Sequence, residues 1–488
     1  MREIEHPPLA PSLMESMRSL GYSLGSALAD LVDNSISANS NRIEIRFNPS
    51  VNSYLALIDD GVGMLPFDLD NAMRHGSSNP LAFRAAEDLG RFGLGLKTAS
   101  LSQCRRMTVV SYKDKVLSAR CWDMDLINER KSWVLLELDE SEINVLPHID
   151  ILTKVEHGTM VLWENFDRLL AGEAFPEVAF GLKIDEAREH LALVFHRFLE
   201  GESGKNKLSI EINGTDIKPI DPFLGNHVLT QKLQTDQFQI EAKIVSIKPF
   251  ILPHPSRITP KEAELAGGSE GLRSQQGFYV YRGRRLIVWG TWFRLARKDE
   301  LSRLARVRVD IPNSLDHLWV LDIRKSIAHP PEAVRLQLKR TIDRIREQSR
   351  LTHISRGHKE TQKGIEHGWV RVFADGKVRY EINREHTAIK ALMEGLDASI
   401  ARRIDAALRV IESSFPVESM YVDVASDQRI SKSEDQKNWL LGIAKALLEG
   451  ISKDSVLRKG LIQNLHLIEP FSDNPEIANE IKKVLIDD

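Results

Sequence analysis

Between Ser26 and Ser37 the chain reads SALADLVDNSIS, a helical pattern that carries Asp30, Asp33 and Asn34 among apolar residues. Asp30 and Asn34 are four apart and share a face, with Leu31 and Ile36 turned elsewhere. A carboxylate beside a carboxamide on one helical face can hold a water and a divalent cation. Acids on a helix more often just face solvent, so the weight of this stretch depends on the residues downstream of it.

The downstream order is regular. A short helix at residues 12–20 precedes the acid-bearing helix, placed at 23–38. A strand at 41–47 alternates Ile43, Ile45 and Phe47 with polar residues. A more continuously apolar strand, 54–58, runs into Asp59-Asp60-Gly61-Val62-Gly63-Met64. A short helix is expected at 66–74, then a long loop over 75–97 rich in glycine, serine and charge, then a helix from Thr98. Strands are expected at 106–112, 116–122, 133–138 and 157–163. This order predicts one sheet covered by helices on one face.

A second unit is expected from about residue 176, with a helix at 184–199, a strand at 208–212, a hairpin at 277–289 turning near Arg282-Gly283, and a charged helix over 331–350 opened by proline. A third starts near 351 and holds a hairpin at 369–382 and several helices. The length of 488 residues suits more than one core. With a net charge of −3 any nucleic-acid surface must be local. Cys104 and Cys121 are the only cysteines, which excludes a disulfide framework or a cysteine-rich zinc module and suits a reducing compartment. No apolar run approaches a membrane span and no apolar signal core opens the chain, so the expectation is a cytoplasmic protein.

Three further pieces bear on the acidic helix. Asp59-x-Gly61-x-Gly63 stands at a strand end, where a carboxylate can accept a hydrogen bond from the exocyclic amine of a base and glycine lets backbone approach it. Gly90-x-x-Gly93-x-Gly95-x-Lys97 precedes a helix and offers amides, a helix N-terminus and a lysine to phosphates. Gly158-Thr159 puts a hydroxyl on a late strand. Each alone has a structural explanation; their joint order and spacing does not.

Over residues 12–165 the chain resembles the GHKL superfamily of ATP-binding proteins, which includes DNA gyrase B, MutL, the large heat-shock chaperones, histidine kinases and MORC proteins. The resemblance implies an α+β protein: a Bergerat-type ATP-binding α/β sandwich over 1–175, an S5-like α/β transducer over 176–350 and a small C-terminal α/β domain over 351–488. It implies ATP and Mg2+ as ligands. Asp30 stands where the family usually has the glutamate that activates water, and Asn34 where an amide coordinates magnesium. Asp59 matches the adenine-reading acid, with Gly61, Gly63, Met64 and Thr159 around the base. Residues 76–97 match the lid over the phosphates, including Ser77, Gly90, Gly93, Gly95 and Lys97. Asp33 is either helix surface or a support for these. Two departures matter: Asp30 is one methylene shorter than glutamate, and Ser37 replaces an acid found in many members. Slow hydrolysis and binding without hydrolysis therefore both stay open.

The motif begins near residue 30 of this sequence, where a kinase would carry a phosphoacceptor helix ahead of it, so a histidine kinase is not the expectation. In the other branches a basic residue of the transducer reaches the γ-phosphate, and Lys325 resembles it, with Arg324 as competitor. The phrases LMESMRSLGYS and INGTDIKPIDPF look most like prokaryotic MORC-like ATPases, which tend to be encoded near restriction or phage-defence functions. By that resemblance ATP should join two copies into a clamp, with DNA as client and a co-encoded nuclease or other defence protein as a candidate partner. The alternatives are a chaperone-like clamp on protein clients and an ATP sensor without turnover. Ten basic residues between Arg273 and Arg308, interleaved with aromatics, form a candidate phosphate-backbone surface; the competing explanation is that the aromatics are core and the arginines cover a sheet. Gly201 to Lys205 has the wrong glycine spacing for a phosphate loop and reads as a turn. His75 reads as a polar loop residue.

Overall fold

The computed structural model describes residues 6, 8–19, 21–50, 52–76, 95–202, 206–299, 302–321, 328–354, 366–374, 377–393, 396–416, 420, 436–449 and 455–487. Its contacts divide into two compact units, 1–349 and 350–488.

The first unit opens with α1 (Ala10–Arg18) and α2 (Leu24–Ser37). The Ser23 hydroxyl caps α2 by accepting from the Ser26 amide at 3.1 Å. Leu24, Ala27, Leu28, Leu31 and Val32 supply its buried face. Then come β1 (Arg42–Asn48), β2 (Tyr54–Asp59), α3 (Pro66–Met73), α4 (Gly95–Gln103), β3 (Arg106–Lys113) and β4 (Val116–Asp123). After these lie α5 (Met124–Arg130), β5 (Leu136–Leu138), α6 (Glu140–Asn144), α7 (Ile149–Val155), β6 (Gly158–Glu164), α8 (Pro176–Val194), α9 (His196–Glu200), β7 (Ser209–Ile212) and β8 (Thr215–Asp216).

The eight strands form one mixed sheet in the order β5-β4-β3-β6-β2-β1-β7-β8, antiparallel except for the β1–β7 pair. Two expectations change here. The sheet is covered on both faces, not one. Leu55 and Leu57 join the large core under α1, α2, α4 and α8, whereas Ala56 and Ile58 join a smaller core with Ile143 of α6 and Ile149 and Leu152 of α7. Burial on both faces is why β2 is continuously apolar. The sheet also runs past the boundary placed at 176: α8 packs on α2, and β7 and β8 extend the sheet beside β1.

A second sheet, in the order β10-β11-β14-β12-β13, is built from β9 (Gln231–Lys232), β10 (Asp236–Ile240), β11 (Lys243–Ile251), β12 (Gly277–Arg282), β13 (Arg285–Thr291) and β14 (Ala305–Ile311), with β9 paired to β11. Helices α10 (Pro260–Gly267) and α11 (Gly271–Ser274) intervene before β12. The later α12 (Glu332–Ile354) presents Val334, Leu338, Ile342 and Ile345 at helical spacing to this sheet's core. The β12–β13 hairpin turns at Gly283 and Arg284, both at positive φ, which suits the twist of a two-residue turn. It lies against α8 and α9: His196 meets the Tyr281 hydroxyl at 2.7 Å, and the Arg284 guanidinium sits 4.3 Å from the Phe198 ring.

Unit 350–488 has its own core of Leu440, Ala444, Leu461, Phe471, Ile481 and neighbours, and a hairpin of strands Trp369–Ala374 and Lys377–Ile382. Among the described residues no helix is long and apolar enough to cross a membrane.

Candidate functional site

Strand register brings Asp59, Thr159 and Ser111 together at one end of the first sheet. Asp59 of β2 faces Thr159 of β6, which faces Ser111 of β3. α2 crosses this end, and the Ser35 hydroxyl donates to Asp59 Oδ2 at 2.8 Å. The Gly61 amide donates to Oδ1 at 2.9 Å. Ser111 Oγ donates to the Gly158 carbonyl at 3.0 Å, and the Met64 amide donates to Ser111 Oγ at 2.8 Å. Sequence reasoning found neither Ser35 nor Ser111: a serine in a helix or strand carries no signal until the register is known.

The two adjacent acids here have different tasks. Burial acts to raise the Asp60 carboxyl, but hydrogen bonds from the Arg42 amide, the Ser40 hydroxyl and the Asn41 amide outweigh it and leave the group below its ordinary value. Asp60 thus ties the end of β2 to the turn before β1. Asp59 is more deeply enclosed, and burial pushes its carboxyl up to about 6 despite the lowering hydrogen bonds. A buried carboxylate held at this cost is a candidate for reading a donor on a ligand.

The glycines let the surrounding backbone close in around it. Gly63 has φ +64, and a Cβ there would lie 2.2 Å from the Tyr112 carbonyl oxygen. Gly158 has φ +116, and a Cβ there would lie 2.0 Å from the Asp59 carbonyl oxygen. No other residue fits either position. A Cβ on Gly61 would meet the Ala38 methyl and Asp59 Oδ1, both at 2.8 Å.

One and a half turns back along α2, Asp30 lies buried at the other end of the site. The Tyr22 hydroxyl donates to its Oδ2 at 3.2 Å. A Cβ on Gly95 would stand 3.4 Å from the same oxygen, so the carboxylate abuts Gly95 of α4. Asn34 is exposed one turn on, at the lip. Asp33 is buried, not surface. Its Oδ1 lies 2.8 Å from Arg285 Nε, and Arg285 Nη2 lies 3.8 Å from Asp30 Oδ1. Arg285 opens β13 of the second sheet, a residue that the sequence assigned to a nucleic-acid surface.

Lys97 is 2% exposed, and its ammonium donates to the Ala72 carbonyl in the last turn of α3 at 2.7 Å. Burial pushes it down to about 8. His75 lies in the turn after α3 and packs against Trp122 and Trp133, and burial, with Lys97 nearby, pushes it down to about 4. Ser77, Gly90, Gly93, Arg324 and Lys325 lie outside the described residues.

Of the ten basic residues only Arg282, Arg285 and Arg306 are buried, and for this part of the stretch the competing explanation holds. Phe278, Tyr279, Tyr281 and Trp292 are core. Arg282 pairs with Asp316, Arg284 with Glu202, Arg285 with Asp33 and Arg308 with Asp310, while Arg303 meets His254. Arg306 is fully buried and donates to the carbonyls of Arg303, Ala305, Ala266 and Leu272. A buried guanidinium needs such partners. Arg273, Arg294, Arg297 and Lys298 remain exposed.

Residues 22–159 match the family described as histidine kinase-, DNA gyrase B-, and HSP90-like ATPase. ATPase morc-1 of Caenorhabditis elegans is 34% identical over 95 residues, 19% of this chain and 11% of the relative. ATPase MORC2B of Mus musculus is 35% identical over 98 residues, 19% of this chain and 9% of the relative. The chain therefore spans about a tenth of the length of these curated relatives.

Proposed function

Residues 22–159 form a GHKL-type ATPase domain, and from that premise we propose that the chain binds ATP between Asp59 and the N-terminus of α4 and hydrolyses it with Asp30 as general base. The observation that carries this reading is the buried, raised Asp59, tied by Ser35 to α2, the same helix that sets a second buried acid, Asp30, against Gly95 of α4. Asp59 accepts from the adenine amine while Gly61, Gly63, Met64 and Thr159 border the ring. The start of α4 and Lys97 meet the phosphates, where aligned amides and an ammonium favour negative charge. Asp30 takes a proton from the attacking water.

Asn34 fits a magnesium ligand through its exposed carboxamide beside the phosphate end, because magnesium is often held by one or two protein groups together with phosphates and water. The ion, when bound, neutralises charge on the phosphates. Ser77, Gly90 and Gly93 would complete the lid, and Lys325 or Arg324 would reach the γ-phosphate from the second sheet's unit. Asp30→Ala should bind a fluorescent ATP analogue like the parent and release no phosphate above a mock preparation. Equal phosphate release by the two proteins would remove Asp30 from this role.

The finer reading is a nucleotide-gated homodimer that closes on DNA, with a role against foreign DNA. It is supported by the MORC-like sequence phrases and by the four exposed cations at 273 and 294–298. Binding through about four phosphate contacts implies a log–log salt slope near −4 and no sequence preference. Mass in solution, with and without a non-hydrolysable analogue and then DNA, tests the clamp. A monomer throughout, or DNA affinity indifferent to salt, would refute it.

A further inference from the structure

Asp30 and Asp33 are three residues apart on one helix and are both at least nine-tenths buried. Two carboxylates in such a place repel each other unless a cation joins them. The cation comes from far along the chain. Arg285 is the first residue after the β12–β13 turn, itself 4% exposed, and it spans both acids. Its Nε lies 2.8 Å from Asp33 and its Nη2 3.8 Å from Asp30. The guanidinium also lies 5.7 Å from the centre of the Phe195 ring at the end of α8, which fixes its approach. α8 in turn is tightly apposed to α2: a Cβ on Gly25 would fall 3.0 Å from His190, whose ring lies 5.8 Å from that of Trp289 of β13.

We propose that Arg285 is a positioning residue for Asp30, anchored by Asp33, through which the second sheet governs water activation in the ATPase site. The proposal rests on the reading of Asp30 as general base. Asp33 and Asp30 lie along the same Nε/Nη2 edge of the guanidinium, Asp33 close against Nε and Asp30 Oδ1 farther off Nη2. Tyr22 holds Oδ2 from the opposite side. Aspartate has a single methylene, so a shift of Arg285 or Tyr22 beside its carboxylate changes where the group can point. Withdrawal of β13 would leave two buried acids without this counter-charge, so the seating of the second sheet and the state of the catalytic acid are energetically linked. By reciprocity, ligands that change one must change the other.

The test compares the parent with Asp30→Asn, Arg285→Gln, Arg285→Lys and Asp33→Asn, measuring kcat, KM, affinity for a fluorescent ATP analogue and unfolding midpoint. Misplacing a catalytic group by about an ångström costs up to about a hundredfold. Arg285→Gln and Asp33→Asn should lower kcat by about tenfold or more while KM and analogue affinity stay within about twofold. Arg285→Lys, which keeps the charge but not the fork, should recover part of kcat. Adding Arg285→Gln to Asp30→Asn should cost almost nothing further, because both act through one group. If Arg285→Gln does not fold, Asp33→Asn and Arg285→Lys decide. Parental kcat in a folded Asp33→Asn or Arg285→Gln would overturn the role, as would equal losses in kcat and affinity with no rescue by lysine. A parent no faster than Asp30→Asn would remove the hydrolysis reading and this role with it.

Discussion

Asp59 yields the sharpest pH prediction. Its carboxyl is raised from 3.8 to about 6 by burial. Each pH unit of displacement is worth about 1.4 kcal/mol, so ionised Asp59 costs the nucleotide-free fold about 3 kcal/mol. The sign comes from proton binding. The folded chain keeps this proton to higher pH than the unfolded chain does. The contribution is therefore most favourable below about pH 4, erodes as pH rises through 4 to 6, and is a full penalty at neutral pH. An adenine amine donates far more strongly to the ionised form, so nucleotide affinity should move oppositely. It should be constant above about pH 7 and fall towards tenfold per pH unit below 6. Asp59→Asn removes the ionisation cost and can still accept from the Gly61 amide. At pH 7.5 it should unfold at higher urea than the parent, lose less stability than the parent as pH rises from 4 to 6, and bind the analogue more weakly than the parent. Urea unfolding and analogue titration from pH 5 to 8 measure both arms. Parental affinity unchanged between pH 5 and 7.5, or an Asp59→Asn variant less stable than the parent at pH 7.5, would refute the reasoning.

Three other outcomes are expected from the same geometry. Lys97, pushed down to about 8, holds its proton less tightly folded than unfolded, so its contribution to stability should rise as pH passes from 8 to 10. Lys97→Met should leave urea stability at pH 7.5 equal or higher while weakening analogue binding about tenfold or more. Gly158→Ala needs a Cβ 2.0 Å from the Asp59 carbonyl at φ +116, and should lose about 3 kcal/mol or more by urea unfolding together with nucleotide binding. Arg306→Met leaves the carbonyls of Ala266 and Leu272 without their guanidinium donor and should cost about 3 kcal/mol, seen as faster amide exchange in β12 and β14.

Much of the N-terminal domain is local information. The period of 3.6 and the Ser23 cap define α2, and the alternation of Ile43, Ile45 and Phe47 defines β1. The glycine pair around Val62 marks a place where backbone must approach something closely. These signals sit within a few residues of one another. The order of the main helices and strands and the Asp59 motif could therefore be read from the chain alone, whereas the burial of Asp30 could not. Covering of the second sheet face by α6 and α7 was not legible, because helices of five and seven residues are too short to show a period.

The roles of the charged residues were settled only by packing. Asp33 could be solvent or support, and Arg285 one of ten cations facing DNA, until β13 was laid on α2. The basic stretch misleads because a hairpin strand buried on both sides carries its arginines inward to acids and carbonyls supplied by distant segments. The distance from Asp33 to Arg285 along the chain exceeds any helical or strand period, so no local pattern encodes their pairing. The electrostatic cost of two buried carboxylates on one helix demands a cation, but which residue meets that demand is fixed by the packing of two sheets through α8.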